Sequence, residues 1–214
     1  TDSEAGPEPV SWWKLDESSG TTAADSSGNS HDGTLTGGSW APTSGKFDGA
    51  VSLGAANTDR VQVPTTGMSA SAATVSIWAR IVGTQSGTRY IFGHTSSSPG
   101  YSSRIQIYMD NSDNQLDLGL GDTHTKASNI TTLSADTWYH IALTWDGTNY
   151  VVYVDGISKA NGTYTGLSSI GSYADTGNTG NSSDRTEAFQ GLLDDVRMYD
   201  CVLSADDVND LANP

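Results

Sequence analysis

Apolar and polar residues alternate along most of this chain. Val75-Ser76-Ile77-Trp78-Ala79-Arg80-Ile81, Arg104-Ile105-Gln106-Ile107-Tyr108-Met109 and Gln115-Leu116-Asp117-Leu118-Gly119-Leu120 carry a period of two, the signature of strands with one face in a core. Val61-Gln62-Val63, ended by Pro64, and Tyr90-Ile91-Phe92-Gly93-His94 are shorter runs of the same kind. Trp138-Tyr139-His140-Ile141-Ala142-Leu143-Thr144-Trp145 and Tyr150-Val151-Val152-Tyr153-Val154 flank Asp146-Gly147-Thr148-Asn149. Asp155-Gly156 then leads into Ile157-Ser158-Lys159-Ala160, a strong short hairpin signal. Residues 110–114 read as a turn by composition. Only residues 203–211 depart from the pattern: Ser204 is placed as an N-cap, acids follow in the first turn, and apolar residues recur at helical spacing. These elements predict an all-β fold, two antiparallel sheets packed face to face as a β-sandwich with one short C-terminal helix.

Composition narrows the class. A chain of 214 residues with 35% hydrophobic and 16% charged residues suits one all-β domain over residues 10–214. Residues 1–9 are polar and acidic and read as a linker or trimmed end, so the chain is expected to be part of a larger protein. No apolar run is long enough to cross a bilayer. A net charge of −15 argues against nucleic acid as a partner and for solvation or carboxylates awaiting calcium. The single Cys201 excludes an internal disulfide and reads as a small buried residue rather than a nucleophile. A disulfide-free acidic chain of this kind fits a secreted, extracellular bacterial protein, expected as a monomer without membrane contact.

The two ends look built to meet. Trp12-Trp13-Lys14-Leu15-Asp16-Glu17 near the start and Gly191-Leu192-Leu193-Asp194-Asp195-Val196-Arg197-Met198-Tyr199 near the finish are strand-like and carry carboxylates, which are costly to bury uncompensated. If these strands pair, Asp16 and Asp194 can share a hard cation with carbonyls of the turn over residues 28–33. The alternative is that Asp25, Asn29 and Asp32 supply turn hydrogen bonds only.

Catalytic chemistry is poorly provided for. Glutamate occurs only at Glu4, Glu8, Glu17 and Glu187, without the paired carboxyls that flank a scissile glycosidic bond. Nucleophile elbow, P-loop and zinc signatures are absent. A binding face is the better expectation. Alternation sets Ser76, Trp78 and Arg80 on one side of their strand, and Arg104, Gln106 and Tyr108 on one side of theirs. If the two strands are neighbours, rings, amides and guanidinium groups share one face, with Arg89, Tyr101 and Arg185 in the adjoining strands and loops. Guanidinium forks suit carboxylate or sulfate, which favours anionic polysaccharides. Against this, large aromatics more often fill sandwich cores, and Arg80 and Arg104 could instead pair with Asp117.

The order of motifs resembles the laminin-G-like, concanavalin A-like jelly roll domains of secreted bacterial proteins. The resemblance rests on Trp13-Lys14-Leu15-Asp16-Glu17, Asp25-Ser26-Ser27-Gly28-Asn29 with Asp32-Gly33, Phe47-Asp48-Gly49-Ala50-Val51, Val75-Ser76-Ile77-Trp78-Ala79, Trp138-Tyr139-His140-Ile141-Ala142, Tyr153-Val154-Asp155-Gly156, the segment over residues 191–199 and Leu203-Ser204. It implies a jelly roll, a lectin-like or carbohydrate-binding role without catalysis, and a structural calcium (Ca2+) where the terminal strands meet. Carried over, the ligands are Asp16 and Asp194, with Asn29 and Asp32 from the turn. Leu53-Gly54-Ala55-Ala56-Asn57 is a looser turn than the family's usual one. The expectation is a non-catalytic carbohydrate-binding module, attached to catalytic or surface domains. The rivals are a protein-binding adhesion module and a spacer.

Overall fold

The computed structural model describes residues 6–96, 101–110, 113–183 and 185–214. The centre of the turn expected over residues 110–114, at 111–112, lies outside them, as do residues 1–5 of the acidic start. In chain order the strands are β1 (Ser11–Trp13), β2 (Thr22–Ala23), β3 (Gly33–Thr36), β4 (Ser39–Ala41), β5 (Ala50–Gly54), β6 (Arg60–Pro64), β7 (Ala73–Ile81) and β8 (Arg89–His94). They continue as β9 (Arg104–Asp110), β10 (Gln115–Gly121), β11 (Thr123–Ala127), β12 (Trp138–Trp145), β13 (Asn149–Val154), β14 (Ile157–Thr163), β15 (Tyr173–Thr176) and β16 (Gln190–Tyr199), and α1 (Ala205–Ala212) ends the chain.

Two antiparallel eight-stranded sheets form the sandwich. One runs β14-β13-β12-β7-β16-β5-β4, with β1 also on β16; the other runs β11-β10-β9-β8-β15-β6-β3-β2. The alternation in the sequence becomes the division of each sheet into a core face and an outer face. Val75, Ile77, Ala79 and Ile81 of β7 meet Ile105, Ile107, Met109, Leu116, Leu118 and Leu120 of the second sheet in one continuous core. At about 25 cal/mol per Å² of apolar surface removed from water, this layer is the main driving term of folding.

The expected helix is present. Ser204 caps it, accepting from the Asp207 amide while the Asp207 carboxylate accepts from the Ser204 amide, a reciprocal capping box. Val208 of α1 packs with Ala142, Tyr153, Tyr199 and Leu203 on the outer face of the first sheet.

The chain ends do meet. β1 pairs antiparallel with β16, Trp12 opposite Arg197 and Trp13 opposite Val196, while the earlier half of β16 pairs with β5. Between the two halves the β16 register against β7 shifts by a bulge, at which Asp195 takes a left-handed φ of 48°. The bulge lets Asp194 and Asp195 both reach the outer side of the sheet.

Candidate functional site

The outer face of the first sheet holds the meeting of the ends. A cavity of about 190 Å³ is lined by Trp12, Lys14, Asp16, Phe47, Asp48, Asp194, Asp195, Arg197 and Pro214. Asp194 Oδ2 accepts from the Phe47 amide at 2.9 Å, and Asp16 Oδ1 accepts from the Gly49 amide at 2.8 Å. Both chain ends are thus tied to the turn before β5. Trp12 donates through Nε1 to Asp195, and its ring lies under the Lys14 ammonium at 4.6 Å and the Arg197 guanidinium at 4.4 Å. Burial pushes the Asp194 carboxyl up to about 7; the Asp195 and Asp16 charges add to the shift, and the Phe47 and Lys46 amides oppose it.

Of the four residues expected to hold a cation, Asp16 and Asp194 come together here. Asn29 and Asp32 do not line this cavity, and each side chain makes a hydrogen bond elsewhere. Asp25 is the hub of their turn, its carboxylate accepting from the Trp12, Ser27 and His31 amides at 2.9 Å each. Asp32 Oδ1 accepts from the Asp25 amide at 2.8 Å, and Asn29 Nδ2 donates to the Val10 carbonyl at 3.1 Å. Burial raises the Asp25 pKa, but the hydrogen bonds outweigh it and the net shift is downward. Among the described residues no three His, Cys, Asp or Glu side chains converge as metal ligands.

The expected ligand face divides between the sheets. β7 lies between β12 and β16 in the first sheet, whereas β9 lies between β8 and β10 in the second, so Trp78 and Arg80 cannot share a face with Arg104, Gln106 and Tyr108. Trp78 is 2% exposed, covered by the Phe47 edge at 5.8 Å and the Lys46 ammonium at 4.1 Å from its ring. Arg80 pairs with Asp136 at 3.5 Å, not with Asp117. Arg185 donates through Nε to Asp175 at 2.8 Å, with Arg60 3.7 Å from the same carboxylate. Arg89 starts β8, opposite Met109.

What the second sheet does assemble on its outer side is a layered aromatic site. Tyr90 of β8 and Tyr108 of β9 are cross-strand partners with ring centroids 5.2 Å apart, and His124 of β11 lies on Tyr108 at 4.9 Å. The Tyr90 hydroxyl is 3.1 Å from His124 Nε2, and the Tyr108 hydroxyl donates to the His124 carbonyl at 3.3 Å. Gly119, opposite Gln106, leaves room for this layer, since a Cβ there would stand 2.6 Å from the His124 carbonyl. Gln106 and Tyr108 are therefore fully buried at its base rather than exposed as contact residues; Gln106 Nε2 reaches the Thr179 carbonyl at 3.3 Å. The exposed layer is His124, beside the Arg104 guanidinium stacked 5.1 Å from the Tyr101 ring and donating to the Asp122 carbonyl.

Burial, and then the Arg104 charge, lowers the His124 pKa, so its ring is neutral near pH 7. Burial raises the pKa of Tyr90, and pushes Tyr108 up to about 12. Asp117, at the flank, accepts from the Asn129 amide at 2.7 Å and is shifted upward, by burial first and then by Asp110 and Asp113. His124 escaped the sequence reading because Gly121-Asp122-Thr123-His124-Thr125-Lys126 shows no alternation. The one available signal was its place directly after a strand that ends in glycine.

The model of the concanavalin A-like lectin/glucanases superfamily matches residues 54–209. The chain belongs to this superfamily. Among solved structures, this concanavalin A-like chain is similar to domain 4 of AbnA, an extracellular GH43 arabinanase from Geobacillus stearothermophilus, in complex with arabinotriose. The identity is 21% and the TM-score 0.74, over 98% of this chain and 100% of that one. It is also similar to Trypanosoma rangeli sialidase in complex with sialic acid, at 14% identity and a TM-score of 0.76. That match covers 96% of this chain but 32% of the sialidase, so the lectin-like fold spans about a third of that enzyme. The binding domain of Paraclostridial Mosquitocidal Protein 1 matches at 17% identity and a TM-score of 0.69, over 97% of this chain and 52% of that one. No curated protein sequence matches this chain.

Proposed function

We propose that this concanavalin A-like chain is a non-catalytic carbohydrate-binding module of a secreted bacterial protein, and that it binds polysaccharide on the outer side of the second sheet. The observation that carries this reading is the Tyr90–Tyr108–His124 stack beside the Tyr101–Arg104 pair. Sugar rings present C–H faces to aromatic planes and hydroxyls to planar donors and acceptors. Here a neutral imidazole and a phenol supply the planes, while Arg104 and the exposed Asp122 supply the polar groups. The base is already packed and hydrogen-bonded, so little ordering entropy is lost on binding. The arabinotriose complex of the similar arabinanase domain supports this ligand class. As a module attached to a catalytic domain, it would raise the local concentration of substrate.

The residues at the meeting of the ends fit a calcium ion in part. Asp194 is a buried carboxylate that a cation would relieve, and Asp16 is exposed at the same cavity. We infer that these two residues hold the ion, neutralising the clasp, with Asn29 and Asp32 outside it.

Affinity gel electrophoresis on a polysaccharide panel tests the binding face. Retention of the parent protein should weaken in His124→Ala and in Tyr101→Ala by about fivefold each, which corresponds to about 1 kcal/mol per stacking ring. It should be unchanged in Arg80→Ala, on the other sheet. Equal loss in all three variants, or no retention on any polymer, would favour the protein-binding module instead.

A further inference from the structure

We infer that the polysaccharide taken by this face is uncharged; the inference rests on the carbohydrate-binding reading above and names its ligand class. Anionic polymers would require the arginines to gather on one surface, and the fold disperses them. Arg60 and Arg185 converge on the buried Asp175, Arg80 is spent on Asp136, Arg197 on Asp195, and Arg89 stands at the start of β8 opposite the core residue Met109. At the aromatic site Arg104 is the guanidinium in place, and among the described residues it forms no ion pair. Lys126 follows His124 by two residues on β11 and adds a second cation.

Carboxylates outnumber these cations around the site. Asp117 lies opposite Tyr108 across β9 and β10. Asp122 accepts from the Thr123 and Thr165 hydroxyls at the end of β10. Asp110 and Asp113 both raise the Asp117 pKa, and Glu187 does the same to Tyr90, so their fields reach the site. His124, held neutral, contributes no balancing charge. Among the described residues, a polymer with a carboxylate or sulfate on each repeat would enter the field of Asp110, Asp113, Asp117, Asp122 and Glu187 with Arg104 and Lys126 as the cations beside His124, on a chain whose net charge is −15. A neutral sugar brings no charge into that field, and its hydroxyls meet the exposed Asp122 as an acceptor, with Arg104 as the donor. The surplus of negative charge matches a ligand that offers O–H donors and carries no charge of its own.

Affinity electrophoresis separates the two classes. Neutral polymers (arabinan, xylan, β-glucan, galactan) are compared with acidic ones (alginate, polygalacturonate, chondroitin sulfate, carrageenan). Each is run at low and at high salt, where the screening length falls from about 30 Å at 0.01 M to about 3 Å at 1 M. The expected result is retention on at least one neutral polymer, altered less than about twofold by salt, and none on the acidic polymers at low salt. The double variant Asp117→Asn/Asp122→Asn should gain weak, salt-sensitive retention on an acidic polymer if repulsion is the barrier. Retention of the parent protein on acidic polymers alone, lost at high salt, overturns this inference and leaves the carbohydrate reading standing. Absence of retention on every polymer overturns both.

Discussion

Replacing Asp194 by Asn tests the electrostatics of the clasp directly. In the folded chain the carboxyl is 1% exposed and its pKa is pushed up from 3.8 to about 7, by burial first, with Asp195 and Asp16 adding to the shift. The folded state therefore binds a proton that the unfolded state has released between pH 4 and pH 7. Stability must fall as pH rises through that window and level off above it. A shift of roughly 3 units corresponds to about 4 kcal/mol at the upper end. For a chain of this size that is a melting-temperature change of roughly 8–16 °C. Asparagine has nearly the same shape, keeps an oxygen to accept from the Phe47 amide, and carries no charge. In the presence of a chelator the variant should melt close to the parent near pH 4 and well above it at pH 8. Added calcium should stabilise the parent at pH 8 by mass action and leave the variant unmoved. Scanning calorimetry across this pH range provides the measurement. A chelated parent protein as stable at pH 8 as at pH 5, or an Asp194→Asn variant that melts lower than the parent at pH 8, would refute the account.

Gly93→Ala should be among the most damaging single changes on the second sheet. Its Cβ would stand 2.3 Å from the Asn178 carbonyl oxygen and the Thr179 carbonyl carbon, both backbone, so the crossing segment must lift away. A loss of about 1–3 kcal/mol is expected in chemical denaturation. Ser204→Ala removes the hydroxyl that accepts from Asp207 N at 3.1 Å. It should cost about 1 kcal/mol and lower the melting temperature by roughly 2–4 °C, without changing polysaccharide retention.

The long strands were legible because alternation is local: β7, β9, β10, β12 and β13 each announce which residues face the core. Alternation does not say which sheet a strand joins. β7 pairs with β16, more than a hundred residues further along the chain, and nothing within Val75-Ser76-Ile77-Trp78 encodes that distance. This is why Trp78 and Arg80 looked compatible with Arg104 and Tyr108 and stand on the opposite sheet. Nor does alternation say whether an outward residue stays exposed. Tyr108 and Gln106 do point outward, but His124 of β11 and the Thr179 segment cover them. The short strands β2, β3, β4, β11 and β15 were missed because two to five residues give a period of two too little room. The meeting of the ends was readable because each end carries a full apolar run with acids at its tip. At the Asp25 turn the residue types that predicted self-satisfying hydrogen bonds do form them.

The outer faces of the two sheets are treated differently, and the proposed binding face follows from that difference. The first sheet spends its outer face on the chain's own parts: α1 packs on Ala142, Tyr153 and Tyr199, Phe47 and Lys46 cover Trp78, and Asp194 is tied to the turn before β5. The second sheet is crossed by the segment after β15, which leans on Gly93 and is pinned by Asn178 Nδ2 to the Asn57 and Asp59 carbonyls. On one side of that crossing Asp175 is sealed between Arg60 and Arg185. On the other side, over β8 to β11, the aromatic stack ends in an exposed ring. A ligand that binds there disturbs neither the clasp nor the core, so the energy of binding need not be spent on rearranging the sandwich. On the proposed reading, substitutions at the clasp should move stability and substitutions on the His124 face should move affinity, so the two places are expected to change different measurements.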